Sequence, residues 1–429
     1  MIMKKIYTSI GLVAIGVASI QSAQGQSADP SRSWSASVAL RGFYDDNINS
    51  TPTELESFGF QVSPSLSYGL SLEETTISAS YTYDLKWYEK AINGSDGHYD
   101  QTHTFAAQLG HTFSERMLMS VQDSFVIGQE PDMLRVGNSA LDSFQRISGN
   151  NMRNYGSIVF NAQITRPLGI EVGYGNALYN YDDNSDFGES ARLDRMEQTA
   201  HIDGRWTIQR DTVGIVGYQF GLVDYTADLP IGYALFNSPP FLREVTSSIR
   251  NSRSHYGYLG LEHTFRPDLV GNIKGGARYS DYYNSPSEDT TVSPYGQASL
   301  RWTYAKESFL NVGVSYDLSS TDQYSYSVSD QSITVGANSF VAYASLTHRI
   351  LPNLFGSLVG NYQNSTFVGG SYDDKSQNYY SFGANLEYRF NRHISANVGY
   401  NYDELDSDPG VQSGSFNRNR VYVGVTLVY

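Results

Sequence analysis

The sequence predicts an all-β protein: a transmembrane antiparallel up-and-down β-barrel of about eighteen strands, within a range of roughly 16 to 20. Three observations lead there. Segments of about ten to fifteen residues alternate apolar and polar side chains with period two, the mark of a strand with two unlike faces. The connections between them alternate strictly between very short and long. And the chain stops inside such a segment, "NRNRVYVGVTLVY", whose unpaired edge a closed sheet would satisfy by pairing it with the first strand.

Taken in order, the alternating segments begin with "WSASVALRGFY" from Trp34 and "FGFQVSPSLSYGL" from Phe58. In "TISASYTYDLKWY", Ile77, Ala79, Tyr81, Tyr83, Leu85 and Trp87 share one face, and Ser78, Ser80, Thr82, Asp84 and Lys86 the other. Phe105, Ala107, Leu109 and Phe113 form another apolar face, followed by Ala298, Leu300, Trp302 and Tyr304, and by Leu310, Val312, Val314, Tyr316 and Leu318. Phe382, Ala384, Leu386, Tyr388 and Phe390 repeat the pattern, as do Ile394, Ala396, Val398, Tyr400 and Tyr402 and finally Val421, Val423, Val425, Leu427 and Tyr429. A tilted bilayer-crossing strand needs about 9–11 residues. Two segments break phase. "MLMSVQDSFVIG" puts Asp123 in register with Met117, Met119 and Val121, which predicts a bulge or a strand rising beyond the bilayer, and "TVGIVGYQF" slips near Ile215.

The short connections are "LEET" at 72, "SER" at 114, "RPL" at 166, "QRD" at 209, "RPD" at 266, "AKE" at 305, "LPN" at 351 and "NRH" at 391, all hairpin-turn chemistry. The long ones follow Tyr44, Gly128 and Asp182, and start near Asp224, Tyr283, Ser319, Phe367 and Asp403. Short turns on one side and long loops on the other are the pattern of an outer-membrane barrel. With an even strand count both termini lie on the short-turn side, expected to be periplasmic.

Lys4 and Lys5 precede the apolar run "IGLVAIGVASI", and Ala23 and Gly25 fit a small-x-small cleavage site. Residues 1–25 therefore read as a cleaved signal peptide and 26–429 as the barrel. Loss of the two lysines takes the formal charge from −15 to −17. Further on, no segment reaches the ~18 apolar residues of a membrane helix. The mean hydropathy of −0.38 is compatible with a membrane barrel, since half of each strand faces water. Absence of cysteine excludes thiol chemistry and Cys-ligated metals. Strands beginning at Trp34 leave no room for the plug of a TonB-dependent transporter.

The closing "YVGVTLVY", with Tyr422, Gly424, Leu427 and the terminal aromatic Tyr429, resembles the C-terminal signal read by the barrel-assembly machinery of Gram-negative outer membranes. "GFYDDNINSTP" (Gly42 to Pro52), "FQVSPSLSYGLSL", "LEHTFRPDLVGNIKGGARYSDY" and "VSPYGQASLRWTY" resemble the β-barrel porins grouped with exopolysaccharide-associated outer-membrane proteins. The likeness spans nearly the whole mature chain but is mostly barrel grammar; "YDDN" is its one family-specific segment. It implies an outer-membrane barrel and brings no catalytic residues.

Enzyme chemistry finds little support. No HExxH, GxSxG, P-loop or EF-hand spacing occurs. The histidines are His98, His103, His111, His201, His255, His263, His348 and His393; His111 and His263 sit among apolar residues, as in an interfacial girdle. His98 and His103 with Asp96 and Asp100 imitate a metal or acid–base cluster but read better as a solvated loop. The acidic clusters Asp45–Asp46, Asp182–Asp183–Asp186 and Asp403 to Asp408 fall in long loops, where they keep the surface soluble; loop-bound Ca²⁺ or Mg²⁺ is the alternative, and no other cofactor is expected.

Alternation places Arg41, Lys86, Arg205, Lys274, Arg278, Arg301, Arg349, Arg389 and Arg420 on the face away from lipid, with Asp84, Glu171, Asp203, Glu262, Asp317 and Glu387. An Arg or Lys on the lipid face would cost ~2–4 kcal/mol near the midplane. The expected lumen is thus balanced to mildly basic. "ADLPIGYALFNSPPFLREV" (227–245) is apolar where a loop should be polar, and is expected to constrict the lumen or dock on a neighbour. The resulting expectation is a channel passing polar solutes, sugars or polysaccharide, the alternative being a structural or adhesive barrel with a filled lumen. Its expected partners are outer-membrane lipid and lipopolysaccharide, the assembly machinery and polysaccharide-export proteins, with no nucleic acid. Oligomeric state is not legible.

Overall fold

The alternating segments form one continuous antiparallel ladder. The computed structural model describes residues 33–429 apart from 93–96, 129–149, 183–185, 187, 238–239, 286–289, 322, 326–331 and 412–413, with backbone alone at 234–237 and 240–243. The signal-peptide reading lies outside the described residues, as do Asp96, Asp183 and most of the loop after Gly128.

The first half of the sheet comprises β1 (Trp34–Asp45), β2 (Ser57–Ser71), β3 (Thr75–Tyr88), β4 (Tyr99–Ser114), β5 (Met117–Gly128), β6 (Asn151–Gln163), β7 (Leu168–Tyr181), β8 (Arg195–Gln209) and β9 (Thr212–Tyr225). A separate hairpin follows, β10 (Pro230–Asn237) and β11 (Pro240–Thr246). The ladder resumes with β12 (Ser252–Arg266), β13 (Leu269–Asp281), β14 (Thr290–Ala305), β15 (Ser308–Ser319), β16 (Gly336–Leu351) and β17 (Leu354–Val368). It ends with β18 (Ser376–Arg389), β19 (Ile394–Ser407) and β20 (Phe416–Val428). Each strand pairs with its neighbours, β9 with β12, and β20 with β1, closing an 18-stranded barrel. The seam runs from Ser37↔Val428 to Asp45↔Arg420, and Tyr429 and Ala36 exchange backbone hydrogen bonds beyond it. The free edge that the last segment threatened does not exist.

The two faces separate by parity. One carries a belt of exposed apolar side chains, including Leu40, Phe60, Leu66, Val216, Leu259, Ile273, Leu358 and Val423. Such a belt is the surface a membrane barrel presents to lipid, and closed pairing satisfies every ladder amide internally, as that setting requires. Aromatics crowd toward its ends: Trp34 against Tyr429, Tyr44 against Phe58, Tyr388 against Phe390. His111 and His263 belong to this belt, each edge-on to Phe113 or Phe265 and bonded to Thr75 or Thr212.

Neither phase irregularity is a bulge. β5 pairs without interruption with β6, and its one shift against β4 lies in the hairpin turn at Thr112/Ser114, so Asp123 faces outward with Met119, Val121 and Phe125. Ile215 faces the opposite way and packs on Tyr256, Tyr258 and Tyr295.

At the long-loop end the connections pack on one another. A single-turn helix α1 (Glu189–Leu193) places Ala191 against Ile231 of β10 and Val245 of β11, joined by Leu229, Ile249 and Tyr324. The 227–245 segment is therefore a hairpin embedded in a cluster of loops. Arg250 ties this cluster together, donating to the Thr321 and Arg192 carbonyls at 2.9 and 2.5 Å while its guanidinium lies 4.1 Å from the Tyr225 ring centroid.

Candidate functional site: the inner wall

The face opposite the apolar belt is the concave one, and one contact shows it. Lys274 on β13 reaches Asp203 on β8 at 2.9 Å across β9 and β12. Strands spaced ~4.8 Å apart would hold these groups about 14 Å from each other on a flat sheet. Inward curvature brings them together. Gly217 on β9 makes the path: a Cβ there would lie 2.1 Å from the Tyr258 ring and 2.4 Å from Asp203 Oδ1.

Asp203, fully buried, also accepts the Tyr258 hydroxyl at 2.6 Å. Beside it, Arg205 meets Glu262 at 2.7 Å and Glu171 at 3.8 Å, and His201 lies 3.5 Å from Glu171. The next group is built on Arg278, which donates to Ser254 and Ser280 at 3.1 and 2.8 Å, approaches Asp317 at 3.4 Å and reaches the Leu318 carbonyl; Tyr256 donates to the same Asp317. Nearer the short turns, Arg389 pairs with Glu387 at 3.1 Å and lies over Phe355, and Arg349 pairs with Glu307 at 3.0 Å.

On the far side of the ring Asp84 accepts from Gln61 and Ser63, and Lys86 stands between Gln61 and Asp100 in the ladder. Arg41 lies over the Tyr422 ring at 5.1 Å, with Arg420 paired in register to Asp45. Arg301 is exposed on the inner face and makes no ion pair among the described residues. All fifteen charged candidates thus share the inner face. Of the terminal residues, Tyr422 and Gly424 face inward, whereas Leu427 and Tyr429 join the outer belt.

The acidic segments need correcting. Asp45 is no loop carboxylate: it ends β1, is fully buried and forms an ion pair with Arg418 of β20, whose Nε lies 2.8 Å from each carboxylate oxygen. Asp46 accepts from the Asn419 amide and side chain at 2.6 and 2.7 Å. Asp403, Glu404 and Asp406 lie in β19, and Asp403 accepts the Tyr379 hydroxyl at 2.9 Å. Glu56 does stand in a loop. The Tyr44 hydroxyl and then Lys90 hold its carboxyl below the ordinary range. The His–Asp pairing near residue 100 dissolves, because His103 faces outward between Tyr81 and Tyr83 while Asp100 faces in. Among the described residues no three His, Cys, Asp or Glu side chains are grouped to hold a metal ion.

The sequence reading passed over other inward charges: Arg153, Arg195, Glu197, His201, Asp403, Arg418 and Asp45. Arg195, Glu197 and His201 share the parity of Asp203 and Arg205, so the signal was present. Arg195 pairs with Glu197 at 2.8 Å and lies 3.9 Å from the Tyr179 ring centroid. With Asp100 counted as well, these residues add three arginines and four carboxylates, which moves the wall from mildly basic toward neutral.

Residues 336–429, which hold β16 to β20, match the family described as Putative beta-barrel porin 2. No curated protein matches the chain in sequence. Among solved structures it is similar to Pseudomonas aeruginosa OpdK with vanillate (12% identity, 92% of this chain and 99% of that one, TM-score 0.43). It is also similar to Acinetobacter baumannii OccAB2 (9%, 92% and 98%, 0.43) and to P. aeruginosa OccK2 (OpdF) in complex with glucuronate (13%, 92% and 98%, 0.42).

Proposed function

We propose that this barrel is an outer-membrane channel for polar solutes of sugar size. One observation carries the reading: each inner-wall ion pair described above joins strands at most three places apart, so these charges lie along the wall and do not bridge the ring. Rings of this strand number enclose an aqueous channel. Serines, asparagines and tyrosines between the charges suit hydroxyl-rich solutes, and passage of a polysaccharide chain is the narrower form of the same reading. Because most charges are paired, selectivity between small ions is weak. Both termini are assigned to the periplasm, and Tyr422, Gly424, Leu427 and Tyr429 to recognition by the assembly machinery.

A second reading, a barrel closed by its own loops, has an observation of its own. Ile48 and Leu55, from the loop after β1, pack on the inward-facing Phe43, Tyr88 and Tyr422. That loop enters the mouth. Single-channel recording of the refolded protein in a planar bilayer decides between the two. A steady conductance with weak ion selectivity is expected. Silence from a barrel whose heat-modifiable mobility proves it folded would establish the closed form.

A further inference from the structure

The inner wall is not uniform. Around β8, β12 and β13 its charges are spent on one another, in the Asp203–Lys274, Arg205–Glu262 and Arg278–Asp317 pairs. Four inward tyrosines are taken as well: Tyr179 faces Arg195, Tyr256 faces Arg278, Tyr258 faces Lys274 and Tyr422 faces Arg41. Tyr343, near the middle of β16, differs. Its side chain crosses Gly313 of β15, where a Cβ would lie 2.4 Å from Cζ, 2.5 Å from the hydroxyl oxygen and 2.6 Å from Cε1. Distances that nearly equal place this point above the ring plane. One face of the ring therefore covers the inward glycine, and the other is turned to the lumen. No cation, ring or hydrogen bond engages that side chain among the described residues.

Beside it stand groups with unused bonding capacity. Arg301 of β14 is exposed and makes no ion pair among the described residues. Asn311 of β15, at 5% exposure, and Asn361 of β17 have carboxamide oxygens that accept no hydrogen bond there. Register sets Asn361 opposite Tyr343, and Arg301 opposite Asn311 one inward position nearer the short turns. We propose that these four residues, on four consecutive strands, form a carbohydrate subsite, with Tyr343 against the apolar face of a sugar ring and the others bonding its hydroxyls. The inference deepens the channel reading above and rests on a lumen that solute can enter. A hydroxyl both donates and accepts, as a carboxamide does, and the guanidinium adds donors. The two carboxamide oxygens are shielded as they stand, but the terminal torsion of an asparagine is soft, so the amide can turn to meet a hydroxyl. An inorganic anion would use Arg301 alone, and a flat aromatic solute the Tyr343 ring alone. A sugar, with a C–H face and a rim of hydroxyls, uses all four. The four strands span about 14 Å of wall, room for one or two sugar rings.

Cellobiose, whose rings have flat C–H faces, and sorbitol, a polyol without a ring, are compared by saturation-transfer NMR on the refolded protein in a sugar-free detergent. Transfer is expected to the C–H protons of cellobiose and not to sorbitol. Tyr343→Ala weakens cellobiose binding about tenfold and Asn361→Ala about threefold, whereas Tyr343→Phe, which keeps the ring, stays within about twofold of the parent. Heat-modifiable mobility shows that each variant is folded. Equal transfer to both probes, or cellobiose binding untouched by Tyr343→Ala, overturns the proposal. Absence of transfer to cellobiose overturns it too: with a barrel that conducts, the channel reading stands, and with a silent one both fall. If Tyr343→Ala does not fold, Asn361→Ala decides, and cellobiose binding unchanged in that variant overturns the subsite.

Discussion

Arg418 and Asp45 bury their side chains to 1% and 0% exposure at the seam, a place where neither charge can be left alone. Arg418→Met strands the carboxylate, and breaking a buried pair of this kind costs about 3–5 kcal/mol. The heat-modifiable transition in detergent should fall clearly for Arg418→Met and for Asp45→Leu singly, and recover in part in the double variant; unchanged single variants would mean the pair is solvated. Parity made the fifteen inner-wall charges legible because a charge on the lipid face is penalised wherever it stands. The same rule could not reach Asp45. "YDDN" is built of residues that favour turns, and what keeps Asp45 in the strand is an arginine 373 positions away. Asp123 taught the converse. Its register was correct as read, and of the two accommodations the sequence offered, a bulge or a strand rising beyond the bilayer, the bulge is absent. Asn154, on the next strand, satisfies it instead.

At the level of elements, the apolar 227–245 segment announced that it is no ordinary solvated loop, and it is a hairpin. Its partners were hidden because two of them come from other connections, Ala191 before β8 and Tyr324 between β15 and β16, and join Ile249 just after β11. No local pattern encodes a meeting of that kind. Arg250 is the tie that holds it, with two carbonyls and one ring as partners. Arg250→Ala should loosen the loop cluster without touching the ladder. Limited proteolysis at the long-loop end should quicken while the heat-modifiable transition stays where it was. Equal proteolysis of the variant and the parent chain would remove Arg250 from that role.

Across the whole molecule, the regular spacing of hairpin turns made strand number, pairing order and the side of the long loops readable. Those features depend on local turn chemistry and period-two alternation, which a single sequence carries in full. The loop entering the mouth through Ile48 was not readable, since its partners Phe43, Tyr88 and Tyr422 come from three strands brought together by closure.

The seam also bears on how the barrel comes to exist. Every other ladder in the ring joins strands close in the chain, whereas β1 meets β20 across nearly its entire length. Contacts of such sequence separation form slowly, because the loop they close must be ordered first. Until then two strand edges stay open to stray partners. Circular dichroism should therefore show strand content well before the heat-modifiable band appears during refolding, and simultaneous appearance would contradict late closure. The interval between those events is the one in which both strand edges are most exposed to misassembly.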